Sequence, residues 1–170
     1  MITDLRFIKA AYGFENHHRC AFSEKVQKSF YEIQNYLNPR SGEKLDTTWI
    51  AIYIPTTTTK WRRERDLPDI QKFHGHIAAF QEILNTPGIR YRDYGYDAQW
   101  PVGLNARKIF RFQEPCCNLK TILDESTYQS FKGKSHQSAA MRLDEASIDA
   151  ITKIVESSKL IEVPFTKLER

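Results

Sequence analysis

The 170-residue chain lacks any run approaching the roughly 18 consecutive apolar residues of a membrane-spanning helix, so no contact with the membrane interior is expected. Its first twenty residues mix charged and apolar side chains without a continuous apolar segment or a small-residue cleavage site, so no secretory leader is expected. Cysteine is scarce. Cys20, Cys116 and Cys117 are an odd number, two of them adjacent, which makes a poor disulfide framework and suits a reducing, cytoplasmic setting. No internal repeat is present. Charge of either sign is not in large excess: 25 Lys+Arg stand against 21 Asp+Glu, and a net +4 permits an anionic partner without demanding one.

What is present is the material of an ordinary core. Apolar residues make up 41% and charged residues 27%, far from the composition of a disordered chain. Eight Tyr, ten Phe and three Trp supply large areas to bury. The length suits one globular domain over 1–170.

Periodicity gives the elements. Residues 4–12 read as a strand with Leu5 and Phe7 on one face. Over 22–37, Phe22, Val26, Phe30, Ile33 and Leu37 form a helical stripe, with Ser23 as a candidate N-cap and Asn38-Pro39 as the stop. Residues 48–54 are apolar on both faces of a pleat and end at Pro55, which predicts a strand in the middle of a sheet. Ile70, Phe73, Ile77, Phe80 and Leu84 predict a second helix over about 69–85, closed by Thr86-Pro87-Gly88. Strands are expected at 89–94 and 107–112, and a short helix or mobile loop in the polar stretch 124–142. A last helix follows from Asp144, its N-cap, with Leu143 and Ile148 at staple spacing, before an edge strand at 160–165. The expectation is an α/β or α+β fold: a single mixed sheet of about five strands covered by three to four helices.

Five groups of residues invite a chemical reading. In a strand, His74 and His76 would share a face and could hold one metal ion, as in metal-dependent nucleases with a tyrosine nucleophile. Tyr91, Tyr94, Tyr96 and Tyr128 lie downstream. The helical stripe argues otherwise, because a helix sets i and i+2 about 200° apart. The expectation is therefore two boundary histidines, although Gly75 weakens a helix by about 1 kcal/mol. Lys60-Trp61-Arg62-Arg63-Glu64-Arg65 gathers four cations around one aromatic just after the buried strand. Planar guanidinium groups suit bidentate phosphate contact and Trp61 suits base stacking; alternatively Glu64, Asp66 and Asp69 neutralise the run as a solvated loop. Lys132-Gly133-Lys134-Ser135-His136, with Arg142, is a basic stretch that could extend an anion-binding face. It is not a phosphate loop, because the first glycine of that motif would fall at Tyr128.

Two further sets are weaker. His17, Cys20 and Cys116 or Cys117 lack the paired spacing of a zinc site, and adjacent cysteines seldom close one tetrahedron. Asp93, Asp97 and Glu114 follow the order of a Mg²⁺-dependent phosphodiesterase, but Cys116 stands where the usual lysine would. No metal and no cofactor is expected. The run 91–100, with Tyr91, Arg92, Tyr94, Tyr96 and Trp100, has the composition of a recognition surface.

The residues point first to a nucleic-acid-interacting domain, with Lys60, Trp61, Arg62, Arg63, Arg65, Arg92, Lys132 and Lys134 as contacts; whether it also processes DNA or RNA is left open. The alternative is a protein-binding regulator, an inhibitor or immunity-type protein, that uses the patch at 91–100. A small metal-dependent hydrolase around His74 and His76 is the third reading.

Overall fold

A computed structural model describes residues 2–11, 19–22, 27–56, 71–87, 89–90, 102–135 and 140–164. The elements in chain order are β1 (Leu5–Ala10), β2 (Arg19–Phe22), α1 (Gln27–Leu37), β3 (Thr47–Ile54), β4 (His76–Leu84), β5 (Ile89–Arg90), β6 (Val102–Phe112), α2 (Leu119–Ile122), α3 (Glu125–Ser135), β7 (Ala140–Arg142), α4 (Glu145–Glu156) and β8 (Leu160–Glu162). The strands form one mixed sheet in the order β2-β6-β4-β3-β1-β7, and the short β5 and β8 each pair with β6 as well. Among the described strands only β1 and β3 run parallel; the other pairs are antiparallel. The chain is thus an α+β domain. Among the described residues no helix is long and apolar enough to cross a membrane.

The strand predicted to be central is central. From Thr48 to Ile54 every residue of β3 is buried, between β1 on one side and β4 on the other. Its alternation defines two faces. Trp49, Ala51 and Tyr53 lie on the first. They share it with Ile8 of β1, Phe80 and Glu82 of β4, and Phe110 and Lys108 of β6, through the registers Ile8↔Ala51, Ala51↔Phe80, Trp49↔Glu82, Phe80↔Phe110 and Glu82↔Lys108. Aromatic rings fill this side: Trp49 stacks on Phe110 at 5.8 Å, Phe80 meets Phe112 edge-on at 5.5 Å, and Phe131 of α3 meets Tyr53 at 5.5 Å. The second face carries Phe7 and Lys9 of β1, Ile50, Ile52 and Ile54 of β3, Ala79 and Gln81 of β4, and Ile109 and Arg111 of β6. Helix α1 lies on this side, with Tyr36 edge-on to Phe7 at 5.5 Å and Phe30, Ile33 and Leu37 buried.

The segment 69–85 is not a helix; His76–Leu84 is strand β4, and residues 72–75 form a turn. The apolar spacing that suggests a helix arises because β4 is covered on both faces. Ile77, Ala78, Ala79, Phe80 and Ile83 are all buried, and a strand with no solvent side loses its period of two. Gly75, at φ +79°, turns the chain into β4, and its N–H donates to the Ile54 carbonyl at 2.8 Å.

Other boundaries move less. The described part of the first helix begins at Gln27, and β6 runs from Val102, longer than the 107–112 expected. The polar stretch resolves into α3, where Asp124 accepts from the Thr127 N–H at 2.8 Å, and β7. Asp144 caps α4 as predicted, accepting from the Ser147 N–H at 2.7 Å. The last strand, 160–162, pairs with the C-terminal part of β6.

Candidate functional site

At one end of the sheet β1, β3 and β6 finish and β4 begins. On the second face there, the registers Lys9↔Ile52↔Ala79↔Arg111 put four residues in one row across four strands. Neighbouring strands are about 4.8 Å apart, so the Lys9 and Arg111 backbones stand roughly 14 Å from each other. Between them lie Ile52 and the small Ala79. Lys9 is only 5% exposed, and its Nζ lies 3.3 Å from the Ala10 carbonyl. Arg111 is half-buried. One pleat further along β4, Gln81 belongs to the row Phe7-Ile50-Gln81-Ile109.

The described strands carry two carboxylates, Glu82 and Glu162, and both sit on the first face, since Glu82 pairs with Trp49 and Glu162 with Phe110. Glu82 is occupied by Arg107, which grips both of its oxygens at 2.9 and 2.6 Å. That bond holds the Arg107 guanidinium more firmly protonated than usual. Both carboxylates of the described strands thus lie on the face opposite Lys9, Gln81 and Arg111.

His76 joins this face through its pairing with Ile54. Its Nδ1 lies 2.9 Å from the His74 carbonyl, and a carbonyl can only accept, so Nδ1 is the donor of that bond. His74 itself is in the turn, separated from the strand by Gly75 at positive φ, so the two rings do not share a pleated face. Tyr128 of α3 hydrogen-bonds to Tyr53 on the opposite face, so the sheet lies between it and His76. Burial and that bond push the Tyr53 hydroxyl up to about 12. The described residues contain no group of three His, Cys, Asp or Glu that could hold a metal ion.

The chain leaves β3 at Pro55-Thr56 and returns through Gln71 to Gly75, beside the same sheet end. The intervening 57–70 contains Lys60, Trp61, Arg62, Arg63 and Arg65, which lie outside the described residues. So do the patch residues Tyr91, Arg92, Tyr94, Tyr96 and Trp100, together with His17, Asp93, Asp97 and His136. Lys132 is exposed on α3, and Lys134 belongs to the last turn of the same helix, so Gly133-Lys134-Ser135 is helical rather than a strand-to-helix loop. Glu114 is exposed and lies 3.5 Å from the Lys72 amine. Cys20 falls in β2, opposite Leu104. Cys116 is exposed, 3.5 Å from the Ser158 hydroxyl, whereas Cys117 is buried and its thiol is pushed up to about 12.

Sequence reasoning passed over Lys9, Gln81 and Arg111. Each interrupts a local apolar run: Lys9 stands between Ile8 and Ala10, Gln81 after Ile77-Ala78-Ala79-Phe80, and Arg111 between Phe110 and Phe112. That interruption is the signal that could have found them. Compared with known proteins, the chain matches no family model, no curated protein and no solved structure.

Proposed function

We propose that the chain is a nucleic-acid-binding domain that receives phosphates at the sheet end where β4 begins. The observation that carries this reading is the run Lys60-Trp61-Arg62-Arg63-Glu64-Arg65, four cations around one aromatic between Thr56 and Gln71, with Lys9 and Arg111 adding positive charge to the strands at this end of the sheet. Arg111 offers a planar donor fork and Lys9 a point charge, and both suit phosphate oxygens. The basic segment Lys60–Arg65 is tethered to the same end at Thr56 and Gln71. Its arginines add backbone contacts, and Trp61 supplies a stacking face for a base.

Fluorescence anisotropy with labelled single- and double-stranded DNA and RNA tests this at about 50 and 200 mM salt. Four phosphate contacts would weaken binding about a hundredfold over that interval, because each contact releases condensed counterions. The double variant Arg62→Glu, Arg63→Glu should lose binding while keeping the wild-type unfolding midpoint. Equal binding by that variant, or no binding by the wild type at 50 mM salt, would remove the proposal.

A further inference from the structure

We draw no further inference here: the strongest candidate, the exposed Cys116 thiol 3.5 Å from the Ser158 hydroxyl between β6 and α2, rests on a lone accessible cysteine, its neighbour Cys117 being buried, and nothing among the described residues there points to a ligand.

Discussion

The two faces of the central sheet bury polar groups in different ways. On the first, Glu82 is held by both arms of Arg107, and Tyr53 bonds to Tyr128; around them the packing is aromatic, from Trp49 and Phe110 to Phe80 and Phe112. On the second, Lys9, Gln81 and Arg111 share a face with apolar neighbours and with no carboxylate of the strands, and Gln81 has a buried oxygen that nothing bonds. A buried polar group is retained either because the fold satisfies it or because something outside the fold does. The first face follows the former rule; on the second, the Gln81 oxygen is a group that the fold leaves unbonded.

Truncating the first face should cost the most. Phe131 is fully buried against Tyr53, so Phe131→Ala should lower stability by about 3–5 kcal/mol in urea unfolding. A loss under 1 kcal/mol would mean that α3 is not an integral part of this core. The matching change on the second face separates the two rules. Lys9→Met removes a charge but keeps most of the apolar stem, so nucleic-acid affinity should fall about tenfold at low salt and the salt slope should become shallower by about one contact. If Lys9→Met instead unfolds the domain with no change in affinity at permissive temperature, Lys9 belongs to the scaffold and the contrast between faces disappears.

Alkali should act through buried protons. Tyr53 in the fold is raised from 10.0 to about 12 and Cys117 from 9.0 to about 12, both chiefly by burial. At neutral pH both groups are protonated in either state and their contribution to stability is complete. As pH rises from about 9 for the thiol and 10 for the phenol, the unfolded chain releases protons that the folded chain keeps, so stability falls until about 12. Urea midpoints measured from pH 8 to 11.5 should decline above pH 9, and Tyr53→Phe should flatten the part above pH 10. A midpoint constant to pH 11.5 would contradict the burial of both groups.

How much of this was legible beforehand depends on whether a strand had a solvent side. The run Trp49–Ile54 announced itself as a central strand because it is short, flanked by a proline and apolar throughout, and Asp144 announced a helix because an N-cap is a local hydrogen bond. Strand β4 was not legible. Ile70, Phe73, Ile77, Phe80 and Leu84 happen to fall at spacings of three and four, while the residues that break the helical pattern, Ala78, Ala79 and Ile83, are apolar as well. The misreading carried the site with it. Gln81 looks like the polar side of a helix until β4 is seen as a strand, and Lys9 and Arg111 become neighbours of one row only through long-range registers that no local pattern encodes.

The smallest expected effect concerns the edge of the sheet. Strand β7 ends the order at β1, so its outward groups need another partner or become a template for a foreign strand. Ser29 of α1 supplies one: its hydroxyl accepts from the Ala140 N–H at 3.0 Å and lies 3.3 Å from the Ala140 carbonyl, all of it buried. Ser29→Ala should therefore cost about 1 kcal/mol, the worth of one buried bond, and leave nucleic-acid affinity untouched. The bond ties α1, on the second face, to the strand beside Lys9 through the register Lys9↔Ala140. If Ser29→Ala weakens binding without changing the urea midpoint, α1 positions the cationic row, and the second face acts as one unit with its helix.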